Sequence, residues 1–175
     1  GHEGSGWGGG MVGQRYNADG STAGSSFLVN TTTESSQYHG AVVSYDGGFA
    51  VVWSSDSYVA GGNGHDIYLT RYDNAGTVQG TPEQRVSVTP GTSDAQPGGQ
   101  DLPRIAAHAN GDLVIVWRDN SGNDGSGWGV FGRTYSAAGG FGDTFQVNTT
   151  TTSTQYNPDV ATLADGGFVV VWEDH

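Results

Sequence analysis

Asp46-Gly47-Gly48-Phe49-Ala50-Val51-Val52-Trp53 is written three times in this chain, returning as Asn110-Gly111-Asp112-Leu113-Val114-Ile115-Val116-Trp117 and as Asp165-Gly166-Gly167-Phe168-Val169-Val170-Val171-Trp172. A second apolar run precedes each copy: Ala41 to Tyr45, Arg104 to Ala109 and Asp159 to Ala164. The Asp/Asn-Gly step between two such runs is a tight-turn signal, so each copy reads as a β-hairpin. The Trp that closes each hairpin is expected to pack between successive repeats rather than to hold a ligand.

The text between hairpins repeats as well. Met11-Val12-Gly13-Gln14-Arg15-Tyr16, Ile67-Tyr68-Leu69-Thr70-Arg71-Tyr72 and Val130-Phe131-Gly132-Arg133-Thr134-Tyr135 align on their final Tyr. A polar, Gly-bearing turn follows each. A short strand comes next: Phe27-Leu28-Val29-Asn30, Gln84-Arg85-Val86-Ser87 or Phe145-Gln146-Val147-Asn148. Thr/Ser-rich connections ending in Gln37-Tyr38, Gln100-Asp101 or Gln155-Tyr156 lead into the next hairpin. Turn signals arrive about every 10 residues and no 3.6-residue period is present, which predicts an all-β chain.

Four short antiparallel strands in a repeat of about 60 residues is the proportion of a β-propeller blade, slightly above the ~40 to 50 residues of familiar blade repeats. A duplicated β-sandwich is the competing architecture, and three copies suit it poorly. The chain is expected to be a single repeat domain over 1–175, with repeats of roughly 3–56, 57–119 and 120–175. Residues 41–87 and 104–148 each supply all four strands, and 159–174 supply only the first two. The missing third and fourth strands stand in residues 10–30, so the N-terminal strands are expected to complete the last blade, in the same chain or in another copy. Closed propellers need 4 to 8 blades. Three blades therefore imply either a homodimeric six-bladed ring formed by strand exchange or a section of a longer array. The loop Trp117 to Trp128 also appears divided between Trp172-Glu173-Asp174-His175 and Glu3-Gly4-Ser5-Gly6-Trp7.

Composition removes several function classes. The 175 residues carry 6 basic and 18 acidic side chains, a formal net charge of −12, and no Lys. Six scattered Arg cannot build the basic face that neutralises phosphates, so nucleic acid is not an expected partner. No run approaches the ~18 consecutive apolar residues of a membrane-spanning helix. The absence of Cys rules out disulfides, thiolate metal sites and cysteine nucleophiles. Glycine supplies 31 residues, more than twice the usual ~7%.

Calcium is the first chemistry the loops suggest, because hard cations take several oxygen ligands that flexible glycine turns can converge. Asp119, Ser121, Asn123 and Asp124 place oxygens at near-alternate positions before Gly125. The glycine falls one place late for a calcium loop and no acidic residue closes the site. The alternative is an Asx-rich turn that satisfies backbone donors. Gly61-Gly62-Asn63-Gly64-His65-Asp66-Ile67-Tyr68-Leu69 matches the G-G-x-G-x-D-x-U-x nonapeptide, which makes Asp66 a candidate ligand. Those sites need consecutive copies and this chain has one, so a plain glycine turn is the competing reading.

Asp-Gly-Ser-Gly-Trp-Gly (124–129), Gln-Val-Asn-Thr-Thr (146–150) and Ala-Asp-Gly-Gly-Phe-Val-Val-Val-Trp (164–172) resemble repeats of very large secreted bacterial surface proteins that often carry RTX calcium motifs. The resemblance covers nearly the whole chain. The second copy departs from it, with an insertion around Pro90 to Gly99 and no Gly-Ser-Gly-Trp. It implies an extracellular, type I secreted, adhesin-like context and no active site.

Carbohydrate is the second candidate ligand. Trp7 and Trp128 sit among glycines that offer little surface to bury them, and loop aromatics on a rigid scaffold are common binding devices. The rival reading lays these rings flat over a sheet edge. Catalysis has less to stand on. Among His2, His39, His65, His108 and His175, only His65 has an adjacent carboxylate, Asp66, and no nucleophile elbow, zinc helix or phosphate loop is present. A glycosidase carboxylate pair at a propeller mouth is the remaining enzymatic alternative. Asn30-Thr31-Thr32 and Asn148-Thr149-Thr150 spell glycosylation sequons but read as strand ends entering polar loops. The function expected is a non-catalytic extracellular module, structural or adhesive, with calcium as a stabiliser.

Overall fold

The computed structural model describes residues 9–33, 35–56, 64–88 and 98–175. Among the described residues every regular element is a β-strand. They are β1 (Val12–Gly13), β2 (Phe27–Leu28), β3 (Gln37–Tyr45), β4 (Gly48–Ser55), β5 (Asp66–Asp73), β6 (Gln84–Arg85), β7 (Gln100–Ala107), β8 (Leu113–Asp119), β9 (Gly129–Ser136), β10 (Gly140–Gln146), β11 (Gln155–Thr162) and β12 (Phe168–Asp174). They form four antiparallel sheets: β1-β2, β3-β4-β5-β6, β10-β9-β8-β7 and β11-β12. All three repeated hairpins are present, and their turn glycines Gly47, Gly111 and Gly166 have φ of 95°, 87° and 90°. Only a residue without a Cβ enters that left-handed region freely, which explains why the turn text recurs.

The two complete repeats give the two four-stranded sheets. Each central strand buries both faces, so its sequence is a continuous apolar run rather than an alternation. On β4, Ala50 and Val52 meet Leu113, Ile115 and Trp117 of β8 in one core, while Val51 and Trp53 on the other face meet Val29, Tyr72, Met11 and Phe27. The second face of β8 lies against β11. The sheets thus stack in the order β1-β2, β3 to β6, β7 to β10, β11-β12.

The expectation of three four-stranded blades is met only in part. β1-β2 and β11-β12 remain separate two-stranded sheets, and no ladder joins them among the described residues. The physical reason is the stacking order, which puts the N-terminal pair against Trp53 and the C-terminal pair beyond β8, at opposite ends of the stack. The expected packing of the three Trp follows the same division: Trp53 and Trp117 are 0% and 1% exposed, whereas Trp172 is 36% exposed.

Polar side chains join one sheet to the next. Asn30 Oδ1 accepts from the Met11 backbone N–H at 2.7 Å, and Asn30 Nδ2 donates to Gln37 Oε1 at 2.9 Å. Asn148 repeats the arrangement, accepting from Val130 N–H at 2.8 Å and donating to Gln155 Oε1 at 3.1 Å. Both sequon asparagines are buried and hydrogen-bonded, so in the folded chain neither amide is open to a glycan.

A feature that the sequence reading missed recurs in the first strand of each hairpin. His39, Leu102 and Asn157 have φ of 53°, 49° and 49°. Each sits where the register slips, between Tyr38 and Ala41, Asp101 and Arg104, or Tyr156 and Asp159. One left-handed residue inside a strand makes a bulge and bends it.

Candidate functional site

The starts of β3, β7 and β11 lie across from the ends of β4, β8 and β12, through the pairs Tyr38 with Ser54, Asp101 with Arg118 and Tyr156 with Glu173. Successive sheets therefore bring these polar positions to one side of the stack. Asp101 is the hub. Its Oδ1 contacts His39 Nδ1 at 2.6 Å and accepts from Ser54 Oγ at 3.2 Å and Leu102 N–H at 2.7 Å, and its Oδ2 accepts from Arg118 at 2.9 Å. Burial by itself would raise this carboxyl. The Arg118 hydrogen bond, the Leu102 N–H and the charges of His39 and Arg118 outweigh burial and hold it below the usual carboxylate range.

Arg118 carries the hub to the aromatic loop. Its guanidinium lies 4.4 Å from the Trp128 ring centre and 5.6 Å from that of Tyr156. Trp128 is half-buried, with this cation over its ring. Asp101, Arg118, Trp128 and Tyr156 form a connected cluster of one buried carboxylate, one cation and two aromatic rings, with the guanidinium in cation–π range of both rings. Trp7, the matching candidate, lies outside the described residues. Beside the hub, His65 Nδ1 is 2.7 Å from Asp56 Oδ1, and Tyr38 donates a hydrogen bond to Asp56. The carboxylate beside His65 is thus Asp56 and not the adjacent Asp66, whose oxygen is taken by Arg85 and Ser87.

Asp66 is committed elsewhere. It is 4% exposed, and its Oδ1 accepts from Arg85 Nε at 3.0 Å, Arg85 Nη2 at 2.7 Å and Ser87 Oγ at 3.2 Å. Gln100, its amide turned nitrogen-inward, donates to the same oxygen at 3.2 Å. Burial pushes this carboxyl up against the opposing pull of Arg85. Ser87 occupies the place of Asn30 and Asn148, so Asp66 with Ser87 performs in this repeat the bridging that one Asn amide performs in the others. The glycines at 61, 62 and residue Asn63, the rest of the nonapeptide expectation, fall outside the described residues apart from Gly64.

The loop Asp119 to Trp128 closes on itself. Asp119 accepts from Ser121 N–H at 2.7 Å, Asn123 donates to Ser121 Oγ at 2.6 Å, and Asp124 Oδ1 accepts from Ser126 N–H at 3.2 Å. The two aspartate contacts are Asx turns, the alternative reading of this loop. Among the described residues no group of three or more His, Asp or Glu side chains is placed to hold a metal ion. One atom is left over: Asp124 is 7% exposed and its Oδ2 has no hydrogen-bond partner. A Cβ on Gly129 would stand 2.7 Å from that oxygen, so the carboxylate occupies the space where Asp66 projects in the preceding repeat.

Asp101, His39 and Arg118 do not stand out as site residues in the sequence. The available signal was the alignment of Gln37-Tyr38, Gln100-Asp101 and Gln155-Tyr156, in which one copy exchanges Tyr for Asp. No family model, curated protein or solved structure matches this chain.

Proposed function

We propose that the chain is a non-catalytic, extracellular repeat module of a bacterial surface protein, built on β-propeller blades and serving a structural or adhesive role. One observation carries this reading: the buried polar side chains that could do chemistry are spent joining one sheet to the next, as Asn30 to Gln37, Asn148 to Gln155, and Asp101 to His39 and Ser54. The repeat text and the acidic, lysine-free composition support the extracellular, secreted context.

A second reading, a carbohydrate-binding module, draws on the surface of Arg118, Trp128 and Tyr156. A glycan array separates the two. Silence across the array supports the structural role, and binding lost in Trp128→Ala supports the lectin. The glycosidase alternative has weaker support. Asp66 and Asp101 are shifted in opposite directions, as an acid and base pair requires, yet they are 4% and 8% exposed and each is held by an arginine.

Calcium enters this reading through Asp124, whose unpartnered buried oxygen is the donor that the loop leaves unspent, with Asp119, Ser121 and Asn123 beside it in the chain. The ion would supply charge neutralisation and would rigidify the loop. A melting midpoint raised by calcium in the parent chain and not in Asp124→Asn supports this role; an equal midpoint with and without chelator overturns it.

A further inference from the structure

Each end of the stack carries a two-stranded sheet, β1-β2 at one and β11-β12 at the other. β1 aligns with β5 and β9, yet β5 and β9 each pair with a central strand, β4 or β8, and β1 pairs only with β2. Val29 N–H donates to Met11 O and Ala23 N–H to Arg15 O. Because backbone groups alternate sides along an antiparallel strand, those of Val12 and Gln14 face the open edge.

β3 shows the same vacancy from its side. Val42 stands where Ile105 stands on β7, and Ile105 packs against the core between the four-stranded sheets, while Val42 is 68% exposed. Between β1 and β3 lies a groove of about 660 Å³, lined in part by Met11, Val12, Gln14, Ala41, Val42 and Val51. In the interior of the stack, the corresponding space between β5 and β7 holds the hairpin β3-β4.

The other end supplies a hairpin without a seat. β12 aligns with β4 and β8, whose Val52 and Val116 are each 0% exposed, but Val171 is 59% exposed, Val169 45% and Trp172 36%. An unpaired strand edge with apolar faces of this kind recruits another strand. The internal ladders also fix the register. Trp53 lies opposite Tyr68 and Trp117 opposite Phe131, so Trp172 belongs opposite Val12; Ala50 opposite Arg71 and Val114 opposite Thr134 put Val169 opposite Arg15. The end of the ladder is matched in charge. Ser55 faces Asp66 and Asp119 faces Gly129, and Asp174 would face Gly10, so no carboxylate meets another.

We infer that the hairpin β11-β12 of one copy of this chain seats in the β1/β3 groove of a second copy, and reciprocally, closing a two-fold six-bladed ring. Resting on the blade reading above, it adds the partner and the register. The reciprocal exchange buries both apolar ends at once, as closed symmetric assembly requires. Light scattering on the full chain across a dilution series is the test, with circular dichroism to verify folding. The ring gives twice the 18.1 kDa chain mass. Val12→Pro, which removes an edge N–H, and Val171→Asp, which places a charge on the bare face, shift the mass to that of a folded single chain. Leu163→Ser, exposed but in the hairpin turn, leaves it doubled. A single-chain mass at every concentration, a doubled mass indifferent to Val12→Pro, or open-ended larger assemblies overturn the inference. None of these results bears on catalysis or glycan binding, so the functional reading stands or falls separately.

Discussion

Asn148 donates its side-chain amide to Gln155 at 3.1 Å, with both residues at most 3% exposed, and so ties the last strand of one sheet to the first strand of the next. Removing one partner of a buried pair leaves the other unsatisfied, at a cost of about 1–3 kcal/mol. Asn148→Ala is expected to lower stability by that amount and to strand both Gln155 Oε1 and Val130 N–H. Urea unfolding with an unchanged slope measures it, and a loss well below 1 kcal/mol would remove the amide from its joining role.

The aligned tryptophans provide an internal comparison. Trp117→Ala deletes a fully buried ring from the core between the four-stranded sheets, and a loss of about 3–5 kcal/mol is expected. Trp172→Ala, measured in the single-chain state, should cost less than half as much, because that ring is already 36% exposed there. Equal losses in the two variants would contradict the stacking order.

Acid should weaken the fold through Asp101. Its folded pKa lies below the unfolded value of ~3.9, so its contribution is fully present above that value and is lost as pH falls through the folded pKa. Asp66 acts with the opposite sign, since its raised pKa favours the folded state in acid and that contribution fades as pH rises. Asp101→Asn should lower stability at neutral pH and flatten the acid limb of the melting curve, whereas Asp66→Asn should steepen it. Melting midpoints between neutral pH and pH 3 read both slopes.

Leu102 holds a left-handed conformation that costs a branched side chain about 1 kcal/mol and that Asn tolerates. Asn157 occupies the equivalent position in the next repeat with the same φ of 49°. Leu102→Asn should therefore raise stability by roughly 0.5–1 kcal/mol, checked by denaturant midpoint. A marked loss would mean that the Leu102 side chain packs more tightly than its half-buried position implies.

The hairpins were legible in the sequence because their turns need glycine at positive φ and their central strands need apolar residues on both faces. Those two demands write Gly47 and Phe49 to Trp53 nearly unchanged at Gly111 and Gly166. The two full sheets were legible as well, since residues 41–87 and 104–148 each carry four strand texts, whereas the expected joining of the N-terminal strands to the last hairpin is not formed among the described residues. Three features were not. The bulge at His39, Leu102 and Asn157 carries no shared residue type, because it is fixed by register rather than by side chain. The Asp101 hub joins positions 39, 54, 101 and 118, whose meeting depends on how sheets stack. Asp66 reads as a ligand from its glycine-rich text, and its commitment to Arg85 and Ser87 arises only when β5 and β6 pair.

Cross-linking decides whether the two half sheets are one divided blade. The chain has no cysteine, so Arg15→Cys and Val169→Cys combined in one chain introduce the only thiols. The proposed register would set these residues opposite each other across the junction in a pair without backbone hydrogen bonds, where Cα atoms approach to about 4.5 Å, within disulfide range. Mild oxidation is predicted to yield a covalent species of twice the chain mass that reverts on reduction, with neither single variant forming it alone. Persistence of a single-chain band under oxidation, or a disulfide formed within one chain, would contradict the account.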